Sequence, residues 1–370
     1  MALFDRIPHR CYGERMVDRQ ARRYPTDGLG RRVRGRRTPS GKRIVLQARD
    51  IEIFKLLRRY RFLRSTFIWA LLPPQLRGGS YKRFQDRLTD LFHETNTRHG
   101  AAYLDWPRQQ RHAYNARYVP SIYALSPAGE ALLADEAIRI DNVTDLVRGG
   151  RMAASRAFPH TMMICDTLAS LELGTLSEPN VRFVSWAEIM AKAPGQTQRS
   201  DMPFAIPVEI RHRFAATKQE VHHRFRLMPD GLFGLEYTQA TGKKVYRFFA
   251  LEAERRNRVR ATSLKGSSFF KKVLAYRAIT DKAIHKTHFG IPNLMILTVM
   301  PTQARIETMK LAVIDVHGET GSPKFLFRRI DTLGDSDQSP PPTSHMFHAP
   351  WQRAGWNDFL LYETNTPELG

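Results

Sequence analysis

The sequence predicts an α/β protein, α+β overall, with an N-terminal winged helix-turn-helix ahead of an α/β domain on a central mixed sheet. Two patterns carry that expectation. From Gln47 to the stretch after Pro127, the order reads helix, helix, helix, strand, basic loop, strand, helix. From Val181 to Ile330, short strand-like runs alternate with helical periodicity, which is how a sheet flanked by helices reads. At 370 residues with 42% hydrophobic content, the chain can fill more than one core.

The first helix is expected from about Gln47, with Ile51, Phe54, Leu56 and Leu57 as its apolar stripe. Asp50 and Glu52 fall early in it and Lys55, Arg58 and Arg59 late, matching the helix dipole. Ser65 or Thr66 can cap a second short helix through Phe67, Ile68, Ala70 and Leu71, which Pro73-Pro74 would end. Gly78-Gly79-Ser80 then open a third, Tyr81 to Glu94. Phe84, Leu88, Leu91 and Phe92 form its apolar face, and Tyr81, Lys82, Arg83, Gln85 and Arg87 lie opposite. Residues 101–106 read as a strand, Pro107 to His112 as a basic wing containing Arg108 and Arg111, and Tyr118 to Leu125 as the returning strand. Ser126-Pro127 starts the next helix.

The charge balance is one-sided: 58 Lys and Arg against 36 Asp and Glu give +22. A fold carrying that excess needs a polyanion to offset it, and nucleic acid is the first candidate. Residues 1–44 are arginine-dense and short of apolar groups, so they are expected to be a flexible basic arm. Its run Arg34-Gly35-Arg36-Arg37 is a candidate DNA contact. In the winged helix, residues 45–140, the third helix would enter the major groove through Tyr81, Lys82, Arg83 and Arg87, with Arg108 and Arg111 on the wing.

A second domain is expected over residues 159–330. It opens with an apolar helix over residues 161–173, then a strand Val181 to Trp186, a short helix Glu188 to Lys192 and a loop over residues 193–203. A hairpin follows, Leu232 to Tyr237 and Val245 to Glu254, turning at Thr241-Gly242. Alternation puts Phe248, Ala250, Glu252 and Glu254 on one face of the second strand, and Phe249, Leu251 and Ala253 on the other. With Asp230 at the hairpin's start, three carboxylates can converge, and such oxygen clusters bind magnesium or manganese. A helix from Ser267 or Ser268 to about Thr280 carries Lys272 and Tyr276 four residues apart on one side. A buried strand Ile291 to Met300, a helix over residues 302–315 and a last strand Phe325 to Ile330 complete the domain. Residues 331–370 read as linker and tail, and the apolar end from Trp351, with Trp356, Phe359, Leu360 and Leu361, is expected to dock onto the body or onto a partner.

Pro229-Asp230 followed by Glu252-Ala253-Glu254 on the next strand resembles the PD-(D/E)XK arrangement of restriction-endonuclease-like folds. Together with the winged helix, His160, Lys272 and Tyr276, the order of motifs over roughly residues 45–330 resembles the replication-relaxation family of plasmid and mobile-element proteins. The resemblance implies that Asp230 and Glu252 face a metal. Where such a site normally has lysine two residues after the second acid, this chain has Glu254. Lys271 or Lys272 can replace it from the next helix, or Glu254 can act as a further ligand. In a third reading the acids are paired to Arg255, Arg256 or Lys272, and the nuclease-like scaffold is inactive.

Several classes are excluded by what the chain lacks. No apolar run approaches the roughly 20 residues of a membrane span. Only Cys11 and Cys165 are present, too few for a disulfide framework or a thiolate zinc site. His222-His223, His285 and His288 lack companion ligands. No Gly-rich phosphate loop and no nucleophile-elbow serine is found. The expectation is a cytoplasmic, nucleoid-associated protein that binds double-stranded DNA as a site-specific regulator or replication accessory factor of a mobile element. The alternative is an endonuclease using Mg or Mn with Asp230, Glu252, Glu254 and Lys272. Homodimerisation stays open, and no membrane partner is expected.

Overall fold

A computed structural model describes residues 36–95, 100–112, 119–135, 158–214, 218, 220–255, 258–259, 264, 266–330 and 342–363. Most of the expected basic arm, the start of the expected returning strand and most of the expected linker lie outside these residues.

The N-terminal unit begins with α1 (Ala48–Tyr60), where the Asp50 carboxylate accepts the Gln47 N–H at 2.9 Å. The two-residue strand β1 (Leu63–Arg64) leads into α2 (Ser65–Leu71). Arg64, rather than Ser65 or Thr66, stands at the N-cap of α2. Pro73-Pro74 end α2 as expected, but Pro74 also starts a one-turn helix, α3 (Pro74–Arg77), because proline's fixed φ suits a first helical position. The unit therefore has four helices before the expected wing, not three. Gly78, at φ 76°, turns the chain, and Ser80 caps α4 (Tyr81–His93) by accepting the Arg83 N–H at 3.3 Å. Phe84, Leu88, Leu91 and Phe92 are all buried, as the periodicity requires.

The expected strands shrink to β2 (Leu104–Asp105) and β3 (Ile122–Leu125), with a 3₁₀ turn Arg108–His112 between them. β3 pairs antiparallel with both β1 and β2, giving the order β1-β3-β2. Gln110 supports the loop by clasping both the N–H and the carbonyl of Ile122, at 2.9 and 2.7 Å. α5 (Pro127–Asp135) closes the unit, with Ser126 Oγ accepting the Gly129 N–H at 3.2 Å.

The remaining chain builds a six-stranded mixed sheet. α6 (Phe158–Leu176) is buried nearly all round. Then come β4 (Val181–Val184), α7 (Trp186–Lys192) and α8 (Gly195–Gln198). Among the described residues, β5 (Ile206–Arg213) and β6 (Glu220–Leu227) pair only with each other. β7 (Gly231–Thr238) and β8 (Lys244–Ala253) form the expected hairpin, and α9 (Phe269–Asp281) crosses over from it. The chain continues through α10 (Ile284–Phe289), β9 (Met295–Met300), α11 (Gln303–His317) and β10 (Ser322–Arg329). The order is β11-β10-β9-β8-β7-β4 once α12 (His345–His348) and β11 (Gln352–Ala354) are added. β8, β9 and β10 run parallel, while β4, β7 and β11 join antiparallel, so the sheet is mixed as expected.

The expected last strand, β10, is not the sheet's edge. β11 pairs outside it, and residues 342–363 pack onto the body, one of the two dockings expected for the tail. Gly174 makes that docking close: a Cβ there would sit 2.1 Å from Phe347 Cβ. Trp351 is fully buried and donates its indole N–H to the Met346 carbonyl at 2.9 Å.

The sheet separates two cores. On one face Phe233, Phe249, Leu251 and Leu297 meet α6, in a cluster continuous with Phe54, Phe67, Phe84 and Leu88 of the N-terminal unit. On the other, Leu232, Phe248, Ala250 and Phe327 meet α9, α11 and the inward side of β5. A salt bridge at 3.1 Å joins Arg64 to Asp166 of α6, with both side chains fully buried. Among the described residues no helix is long and apolar enough to cross a membrane.

Candidate functional site

Strand register assembles an acidic cluster at one end of the sheet. Gly231 pairs with Leu251, so Asp230 falls beside Glu252 on the neighbouring strand. Its carboxylate accepts the Ala253 N–H at 2.9 Å. Glu252 and Glu254 share the face that Phe248 and Ala250 use, and both are fully buried. Ser268 caps α9 by accepting the Lys271 N–H at 3.2 Å, which sets the turn that aims Lys272 and Tyr276 at the acids. Lys272 Nζ lies 2.6 Å from Glu254 Oε1 and also bonds Glu252. The Tyr276 hydroxyl donates to the second Glu252 oxygen. From α6, His160 Nε2 reaches Asp230 at 3.3 Å. Asp230, Glu252, Glu254 and Lys272, all expected together from the sequence, thus converge, with His160 and Tyr276 completing the group. Lys271 does not join; its amine lies 3.0 Å from His223 and over the Phe225 ring.

Burial pushes the Glu252 carboxyl up to about 7, while Lys272 and the Tyr276 hydrogen bond pull it back. Burial would also raise Asp230, but the His160 hydrogen bond and the Lys272 charge outweigh it and hold this carboxyl below its ordinary range. The bond to Asp230 raises the His160 imidazole. Burial favours neutral Lys272, yet three carboxylates hold it charged well beyond its usual range.

The donor set governs whether these residues suit a divalent ion. Asp230 is occupied by Ala253 N–H and His160, and Glu252 by Lys272 and Tyr276. Lys272 brings one positive charge to the three carboxylates, where a divalent ion would bring two. Among the described residues no group of three His, Cys, Asp or Glu is placed to hold a metal. As arranged, with these oxygens taken up by the Ala253 N–H, His160, Lys272 and Tyr276, the cluster is not set as a magnesium or manganese site.

The basic candidates divide. Lys82 and Arg83 are exposed on the first turn of α4, Lys82 beside Asp86. Arg36 and Arg108 are also exposed. Arg87 instead turns inward to the fully buried Asp50 and to the Val45 carbonyl at 2.7 Å. The Tyr81 hydroxyl meets Ser65 Oγ at 2.9 Å and its ring packs edge-on to Trp69. Arg37 bridges the carbonyls of Phe92 and Leu104 and the Asp105 carboxylate, at 3.0, 2.6 and 2.5 Å. These three side chains have internal partners that periodicity alone cannot reveal. Arg34 and the Arg111 side chain lie outside the described residues. His285 and His288 face backbone carbonyls, of Ile279 and Pro203 respectively.

The fold and the cluster define an α/β protein in which a helix-rich N-terminal unit is joined to a mixed sheet bearing a lysine-neutralised acidic site. The sequence pattern of the replication-relaxation family matches residues 54–294, and the chain belongs to that family. Membership points to a role associated with the replication of plasmid or mobile-element DNA. Among curated proteins and solved structures, nothing matches.

Proposed function

We propose that the protein binds double-stranded DNA through its N-terminal unit, acting as a winged helix, and serves as a site-specific regulator or replication accessory factor of a mobile element. The observation that carries this reading is the first turn of α4. Its backbone is fixed by the Ser80 cap and by a buried apolar face, and it presents Lys82 and Arg83 to solvent. A helix N-terminus held in this way is suited to a major groove. Arg36 and Arg108, exposed elsewhere on the unit, serve as phosphate contacts, and the +22 net charge supplies long-range attraction. In this reading the acid–lysine cluster is an inactive nuclease-like scaffold that ties α6 and α9 to the sheet.

Duplex binding by K82A/R83A tests the reading. Affinity and discrimination between sites are expected to fall together; affinity and site preference equal to the parent's would refute it. Cleavage of duplex, nicked or single-stranded DNA in Mg or Mn, abolished by Asp230→Asn or Glu252→Gln, would overturn the scaffold reading in favour of an endonuclease.

A further inference from the structure

β5 and β6 stand apart from the six-stranded sheet, each pairing only with the other among the described residues. A two-stranded pair is marginal in water. This one holds because Ile206, Val208 and Ile210 sink into the core that α9 and α11 share. The strand period of two then fixes what faces out. β5 presents Glu209, Arg211 and Arg213, and the register sets Arg224, His222 and Glu220 opposite them, with Arg226 one step along. Four arginines thus share a face with two glutamates. Glu209 lies among these side chains, with His222 at 2.5 Å and Arg211 and Arg224 at 3.5 and 3.7 Å. One carboxylate cannot satisfy two guanidinium groups of five N–H donors each. Arg211 and Arg224 accordingly keep 71% and 74% of their side-chain surface exposed.

We propose that this ribbon is a second DNA-contact surface, taking the phosphate walls of a duplex at its major groove. The proposal rests on the reading of the protein as DNA-binding and adds a site that α4 does not form. Two strands about 4.8 Å apart fit a groove about 12 Å wide. Arginines along both strands put both groove walls in reach. The major groove of an RNA duplex is too deep and narrow for side chains, so DNA is the partner. The N-terminal unit packs on the α6 face of the sheet and the ribbon on the α9 face, so the two surfaces hold separate stretches of DNA.

The test is a salt series of duplex-binding isotherms for the parent, for R211A/R224A/R226A, for E209Q and for K82A/R83A, each checked for folding by circular dichroism. These ribbon arginines are exposed, so folding is expected to be retained. Each lost phosphate contact flattens the slope of log affinity against log salt by about 0.9, so the triple variant should be shallower by roughly 2 to 3. E209Q should bind more tightly than the parent. A triple variant with the parent's slope overturns the proposal, and K82A/R83A then shows separately whether α4 binds. A shallower triple variant beside an unaffected K82A/R83A would support the ribbon and sink the α4 reading. Unchanged duplex binding with lost binding of poly-glutamate would overturn it in favour of an acidic protein partner.

Discussion

Lys272→Met removes the one ammonium that serves both buried glutamates while keeping most of the side chain's volume. Glu252 and Glu254 are fully buried, and Lys272 bonds both. Removing one partner of a buried ion pair costs about 3–5 kcal/mol, because the other charge stays behind without compensation. The loss should depend on pH in a defined direction. Glu252 sits at about 7 in the folded state against an ordinary 4.5. A carboxyl raised by folding contributes stability that is whole below its unfolded value and is lost as pH rises through the folded one. In the parent that amounts to about 3 kcal/mol between pH 4.5 and 7. Without Lys272 the folded value climbs further, so the variant should be weakest above pH 7 and recover on acidification as its glutamates protonate. Urea unfolding followed by circular dichroism, between about pH 5 and 8.5, measures this directly. An alkaline midpoint equal to the parent's, or a deficit that acid does not reduce, would refute the account of the cluster as lysine-neutralised.

Three further outcomes are expected. The His160 imidazole should titrate above 6.5 by NMR, and Asp230→Asn should bring it down; its stabilising contribution is full below 6.5 and lost as pH rises through the raised value. Arg87→Ala should cost about 2–4 kcal/mol by leaving the buried Asp50 carboxylate without its guanidinium, and an unchanged unfolding midpoint would show that Asp50 needs no such partner. Trp351→Ala should cost about 3–5 kcal/mol and expose residues 342–363 to limited proteolysis; an intact tail would mean that Trp351 does not pin it.

The elements legible in the sequence were those whose apolar period matched their burial. The stripe of α4, the hairpin β7–β8 and the face shared by Phe248, Ala250 and Glu252 all follow from spacing alone. So did the meeting of Lys272 with the acids, since one helix follows the hairpin and Lys272 and Tyr276 lie one turn apart on it. β5 and β6 escaped although Ile206, Val208 and Ile210 alternate cleanly, because the outward residues are charged and resemble a loop. The strand within the docked tail escaped for a different reason. At three residues it is too short to show a period, and what holds the tail is a slot opposite Gly174, far away in sequence. Arg87 and Arg37 look like free surface cations in any linear reading. Only tertiary structure brings Asp50, Asp105 and the carbonyls of Phe92 and Leu104 to them.

The joint between the N-terminal unit and α6 bears on how such a protein can be rearranged. Arg64 is fully desolvated against Asp166, and the apolar cluster runs unbroken from Phe54 to Phe249. Excised, the N-terminal unit would carry a stranded guanidinium beside bare hydrocarbon. Grafted onto a different body, it would need a carboxylate at the same depth. Recombination that traded N-terminal units among relatives would therefore have to carry α6 along with them, making that helix the inherited companion of the unit before it.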